Sequence, residues 1–246
     1  MISRIIKSRP TALLLVAGLC TMLLGGCLYP KENLAHNTAT TREAVRNMNA
    51  VIQQYQEETG LLPIKNSPVD TPKYEKYVVD MAKLQRMQYI SDLPGVSFEK
   101  GGNYYFLILD EETEPKIKLM DLVMYQKVNE LQSAVENYYK INKDLPAAEQ
   151  AYPGFYRIDY GKLGSKEPVI QSMFSGLTLS AMVDELGTVY VDYGIDLMRT
   201  VERSTDAKPE AGEDLREWLV RSSDFVPVKS PVYHWVNGEP QAVPAE

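Results

Sequence analysis

The string Tyr-x-[Val/Ile]-Asp-x-x-Lys-Leu occurs twice, as Tyr77, Val79, Asp80, Lys83, Leu84 and as Tyr156, Ile158, Asp159, Lys162, Leu163, an offset of 79 residues. Ahead of each copy stands Leu-Pro (Leu62-Pro63, Leu145-Pro146; offset 83), and behind each stands a glycine-led aromatic run (Gly102-Asn103-Tyr104-Tyr105, Gly187-Thr188-Val189-Tyr190; offset 85). Three landmarks in one order at nearly one spacing mark a tandem duplication, and a duplicated unit must fold in the same way twice. The local patterns make that unit α+β, a helix followed by a small antiparallel sheet.

Each unit opens with an apolar stripe at helical spacing. In the first it is Val45, Met48, Ile52 and Tyr55; in the second Val128, Leu131, Val135 and Tyr138, again 83 residues on. A stripe of this width gives an amphipathic helix with one buried face. The second helix is expected to begin near Pro115 or Asp121 and to stop around Ile141. Pro63 and Pro146 turn the residue before them away from helical geometry and end both helices. In the repeated string, Tyr and Val/Ile alternate as at the end of a strand, and the Asp stands where a helix N-cap accepts amide hydrogen bonds. A cap accounts for both copies, whereas a catalytic Asp-Lys pair would require two active sites. Tyr104–Leu109 and Val189–Tyr193 read as strands led in by glycine. Val232–Val236 followed by Asn237-Gly238 reads as a type I′ hairpin. The expected organisation is a leader over 1–26, an anchor and polar tether over 27–41, α+β units over 42–122 and 123–203, and a linker, short helix and terminal hairpin over 204–246. The short helix, near 213–222, is expected to open a partial third unit.

The leader has three parts. Arg4, Lys7 and Arg9 precede an apolar run from Thr11 to Leu24, which the small pair Gly25-Gly26 closes. That is the plan of an export signal, and the run is too short for a membrane-spanning helix, which needs about 20 apolar residues. Leu24-Gly25-Gly26-Cys27 resembles the lipobox of bacterial lipoproteins. The resemblance implies cleavage between Gly26 and Cys27, a diacylglyceryl group on the Cys27 thiol, and a protein held by membrane lipid at the extracytoplasmic face of the cell membrane. Taken whole, the chain also resembles uncharacterised lipoproteins of endospore-forming Gram-positive bacteria, which implies no activity. The only two cysteines are Cys20 and Cys27, so an exported, lipidated form has no thiol for a disulfide or a metal. With three leader cations removed, 23 basic residues face 33 acidic ones, a balance near −10. Such a body offers phosphodiester backbones no basic footprint, which excludes nucleic acid as a partner, and anionic headgroups repel it.

A helix ending in Leu-Pro ahead of a small sheet is similar to the layout of type IV pilins and type II secretion pseudopilins. Leu131–Tyr139 with Leu145-Pro146 carries that resemblance over some thirty residues per unit. A lipobox in place of a prepilin-peptidase site, and the lack of a long apolar N-terminal helix, separate this chain from filament assembly.

Residues suited to catalysis are scarce. The chain has two histidines, His36 in the expected tether and His234 in the terminal hairpin. No His-Glu-x-x-His string, Gly-x-Ser-x-Gly elbow or phosphate-binding glycine loop occurs. Asp110-Glu111-Glu112-Thr113-Glu114 lacks the alternating ligands and glycine of a Ca²⁺ loop and reads as a solvated run at a sheet edge. The expectation is therefore a non-catalytic binding or scaffold protein of the cell envelope, without cofactor or metal, whose partner is another envelope protein. Sixteen tyrosines stand against five phenylalanines. Tyr104, Tyr105, Tyr138, Tyr139, Tyr190, Tyr193 and Trp235 form the candidate binding surface, because tyrosine gives large contact area with a polar tip. Within each pair, one ring is expected to be buried and its neighbour exposed. The alternative is an envelope hydrolase or glycan-acting enzyme with carboxylates between the units, Asp80 or Asp159 with Glu185.

Overall fold

A computed structural model describes residues 31–204 and 208–244. The expected signal peptide, the cleavage residue Gly26 and the lipidation residue Cys27 lie outside the described residues. Residues 40–246 form a compact unit, and its architecture is α+β. No helix among the described residues is long and apolar enough to cross a membrane.

Helix α1 (Lys31–Thr59) begins earlier than the sequence suggests. Residues 31–41, expected as an irregular tether, form its first turns. Leu34, Ala35 and Ala39 favour helix strongly enough to outweigh the interspersed Asn and Thr. Val45, Met48, Ile52 and Tyr55 form its buried face, each at most 5% exposed. The helix ends at Thr59 and is closed, three residues before Pro63, by Gly60, whose φ of 68° reverses the chain while its N–H donates to Gln56 O at 2.8 Å. Helix α2 (Met81–Arg86) follows the first copy of the repeated string, and α3 (Leu122–Asn142) opens the second unit. Asp121 caps α3 by accepting from Val123 N at 2.8 Å and Met124 N at 3.2 Å. α3 ends at Lys143, with φ 55° and its N–H on Tyr139 O at 2.9 Å. Both helices therefore stop on a left-handed residue three before the proline, 83 residues apart. The prolines sit beyond the break rather than causing it.

The two units share a strand plan. In the first, Ile64 pairs with Val79 and Val78 with Leu107 of β1 (Tyr104–Leu109), which forms a hairpin with β2 (Lys116–Asp121). In the second, β3 (Ala147–Tyr152), β4 (Phe155–Ile158), β7 (Ala181–Asp184) and β8 (Val189–Val191) form an antiparallel sheet in that spatial order. The same carbonyl anchors each start: Asp80 N donates to Pro63 O and Asp159 N to Pro146 O, both at 2.7 Å. This plan aligns β1 with β7 and β2 with β8. The third sequence landmark is thereby corrected, because Gly102 leads into a third strand and Gly187 into a fourth. Gly102 is required where it is, since a Cβ there would collide with the Val96 carbonyl. Between β4 and β7 lies the small hairpin of β5 (Ile170–Gln171) and β6 (Thr178–Leu179).

β1 explains why the units are fused. Phe106 and Ile108 pack with α1, whereas Leu107 and Leu109 face the second unit's core. All four are at most 4% exposed. A strand buried on both faces reads as an unbroken apolar run, as Tyr-Tyr-Phe-Leu-Ile-Leu does.

The C-terminal region does not begin a third unit. After α4 (Gly194–Arg203) and α5 (Arg216–Ser222), residues 224–226 run parallel to β2 and extend the first sheet: Leu119 N donates to Asp224 O at 2.8 Å, and Val226 N to Leu119 O at 3.0 Å. Strands β9 (Val232–Val236) and β10 (Glu239–Val243) then form the expected hairpin, with Asn237 at φ 52° and Gly238 at φ 90°. Val191 N on Lys229 O (2.9 Å) fastens the region to the second unit, and Leu215 N on Tyr233 O (2.9 Å) ties its own helix and hairpin together.

The repeated aspartates cap in both copies. Asp80 Oδ1 accepts from Lys83 N at 2.9 Å and Asp159 Oδ1 from Lys162 N at 3.1 Å. The second cap tops a turn rather than a helix, because Gly161 and Gly164 make helix costly there. Asp80→Ala and Asp159→Ala should each lower stability by about 1 kcal/mol, and the Asn variants by less. Urea unfolding midpoints check this; a neutral alanine at both sites would refute the capping role.

Candidate ligand-binding site

The seven aromatic candidates do not form one surface. Tyr193 is 1% exposed, and its hydroxyl donates to Val228 O at 3.0 Å. Tyr104 packs against Phe225, Tyr105 edge-on to Phe98, and Tyr190 edge-on to Phe155. None of the seven makes a ring contact with another among the described residues. Tyr139 is half exposed near the end of α3, Tyr138 is half-buried beside it, and Trp235 is half-buried on β9. The expected alternation of buried and exposed rings fails on β1, where Tyr104 and Tyr105 are both half-buried because the strand has a core on each side.

The carboxylates of the alternative reading do not converge either. Asp80 and Asp159 are engaged in their own turns, and exposed Glu185 only accepts from Tyr156 Oη at 3.5 Å. A cavity of about 150 Å³ does lie at the junction of the units. Its one carboxylate, Glu75, is bound by Lys229 at 3.0 Å, and the Lys229 ammonium lies 4.6 Å from the centre of the Tyr125 ring. Lys116 pairs with Glu114 (3.0 Å) at the acidic run, and no cluster of metal-ligating residues occurs among the described residues.

The most connected polar group is Asp192, just after β8. Its Oδ1 accepts from Tyr152 Oη (2.9 Å), Tyr233 Oη (3.0 Å) and Gly194 N (3.0 Å), and its Oδ2 pairs with Arg157 at 2.9 Å. Burial and the neighbouring carboxylate raise the pKa values of Tyr152 and Tyr233. One carboxylate thus joins β3, β4, β9 and the start of α4. On α4 itself, Asp196 is buried and accepts from Ser172 Oγ at 2.7 Å, and its pKa is raised by burial.

A different arrangement lies between the C-terminal ends of α4 and α5. A cavity of about 550 Å³ is walled by Arg203, Trp218, Arg221, Thr200, Ser223 and Phe174, with Ser204 and Ser222 at its margin. Helix α4 positions Thr200 and Arg203 on adjacent turns, and α5 does the same for Trp218 with Arg221 and Ser222. Leu197 and Leu219, both fully buried, seat the two helices. The wall carries two guanidinium groups and no carboxylate, in a chain whose net charge is −7. Trp218 is 8% exposed, and its indole N–H has no hydrogen-bond partner among the described residues. Sequence reasoning passed over this region because residues 204–214 read as a linker. Leu197 and Val201, four apart and followed by Arg203, were the available signal for α4.

Residues 41–121, about a third of the chain, match the YphF family N-terminal domain. The matched stretch runs from α1 to the last residue of β2. No curated protein and no solved structure matches the chain.

Proposed function

We propose that the chain is a non-catalytic binding protein, built by tandem duplication of an α+β unit and tethered through a diacylglyceryl group on Cys27 at the extracytoplasmic face of the cell membrane. One observation carries the non-catalytic reading: in the one repeated motif that holds chemistry-bearing side chains, both aspartates are engaged as caps. The paired Pro63–Asp80 and Pro146–Asp159 hydrogen bonds support the duplication. The tether rests on Leu24-Gly25-Gly26-Cys27, and two acyl chains give stable attachment where one is marginal. The partner class is another envelope protein.

Metabolic labelling with an alkyne fatty acid tests the tether. The native chain should incorporate label and sediment with membranes, and Cys27→Ala should lose the label. Unlabelled native chain would refute lipidation. Crosslinking in intact cells, followed by mass spectrometry, should capture a discrete protein with the tethered form. Capture of no protein with either form would refute the envelope-protein partner.

A further inference from the structure

The cavity between α4 and α5 presents hydrogen-bond donors in excess of acceptors. Arg203 is exposed and makes no hydrogen bond or ion pair among the described residues, so its guanidinium can turn to a ligand. Arg221 reaches only Glu213, at 3.4 Å, with its side chain 66% exposed. Ser223 Oγ accepts from Phe225 N at 3.1 Å and keeps its own proton to give. Thr200 and Ser222 donate inward, to Asp196 O at 2.8 Å and Leu219 O at 3.0 Å.

Helix C-termini oppose anions, and both α4 and α5 end here. The opposing charge is roughly half a unit per helix, and Glu213 lies 3.4 Å from Arg221, so Arg203 is the guanidinium that no carboxylate among the described residues offsets. A lining with two guanidinium groups and no carboxylate calls for an oxyanion. Guanidinium groups from two helices suit a group with three acceptor oxygens, and about 550 Å³ far exceeds one bare ion. The Phe174 and Trp218 rings supply the apolar wall that an attached organic group would cover.

We propose that this cavity binds the phosphate group of an organic phosphate, carried by a soluble ester or by a phospholipid headgroup; this inference rests on the reading of the chain as a binding protein. Trp218 reports on it directly, because the chain has two tryptophans and Trp235→Phe leaves Trp218 as the sole one. The full-length Trp235→Phe chain, in uncharged detergent, is titrated with glycerol 3-phosphate. A parallel titration uses phosphatidylglycerol vesicles, with phosphatidylcholine vesicles as the control for headgroup charge. The expected result is a saturable change in Trp218 fluorescence, weakened at least tenfold in Arg203→Gln/Arg221→Gln. Saturation with the soluble ester assigns a soluble ligand, and saturation with phosphatidylglycerol alone assigns a headgroup. Calorimetry on the unsubstituted chain repeats the test without relying on Trp235→Phe folding. No saturable response to either probe, or a response that survives the double substitution, overturns the proposal. Release of inorganic phosphate from the bound ester would keep the site and overturn the non-catalytic reading instead.

Discussion

Raised above about pH 11, the protein should lose stability steeply, with its buried tyrosines ionising only as it unfolds. Tyr74, Tyr193 and Tyr233 are at most 2% exposed, and the pKa of each is raised above the ordinary value of 10.0, chiefly by burial. The raised value sits in the folded state, so that state keeps protons which the unfolded chain gives up. Stability is therefore intact below pH 10 and falls as pH rises above it. At pH 11 each such tyrosine costs about 1.4 kcal/mol, so the three together cost about 4 kcal/mol, rising to about 6 kcal/mol half a pH unit higher. Against a total stability of about 5–15 kcal/mol, a loss of about 6 kcal/mol unfolds a chain at the low end of that range and weakens one at the high end. Ultraviolet absorbance of tyrosinate should show a steep rise that coincides with loss of the helical circular dichroism. A smooth titration of all sixteen tyrosines around pH 10, with circular dichroism unchanged, would contradict the burial described.

The tyrosines also mark the limit of what sequence reveals here. Their number is plain, but a surface tyrosine and a core tyrosine with a buried hydroxyl partner have the same spelling. Tyr193 needed Val228 O, and Tyr233 needed Asp192, residues 35 and 41 positions away. Local patterns fared better. Both helix stripes, the capping aspartates and the Asn237-Gly238 turn depend on neighbours within a few residues, and they could be read directly. The early start of α1 was missed because polar residues in sequence do not distinguish an exposed helix from a tether. The cavity between α4 and α5 was missed for another reason. Its residues come from two short helices separated by a Pro/Gly-containing stretch, so no single window contains the site.

β1 shows how one segment can be legible while its role is not. Its apolar run predicted a strand, but only the structure gives it two cores, one with α1 and one with the second unit. Sharing β1 and lending residues 224–226 to the first sheet make one body of the two units, and the Pro63–Asp80 hydrogen bond of the first has a counterpart in Pro146–Asp159 of the second.

Replacing Asp192 should be among the most damaging single changes. Its carboxylate accepts two hydroxyls and one amide and pairs with Arg157, and its side chain is 11% exposed. In Asp192→Ala, Arg157 loses its only ion pair among the described residues, and the Tyr152 and Tyr233 hydroxyls lose their acceptor. Leaving a largely buried charge uncompensated costs about 3–5 kcal/mol. Asp192→Asn keeps one acceptor oxygen and should fall between alanine and wild type. Tyr152→Phe removes one charge-assisted bond, about 1.5 kcal/mol or more, and Tyr233→Phe costs more because its hydroxyl also accepts from Tyr193 N at 3.0 Å. Their double-mutant cycle should be non-additive, because both hydroxyls share one oxygen. Urea unfolding of wild type and the five variants decides the matter. If Asp192→Ala were as stable as wild type, the carboxylate would not be the hub that holds β3, β4, β9 and the start of α4 together.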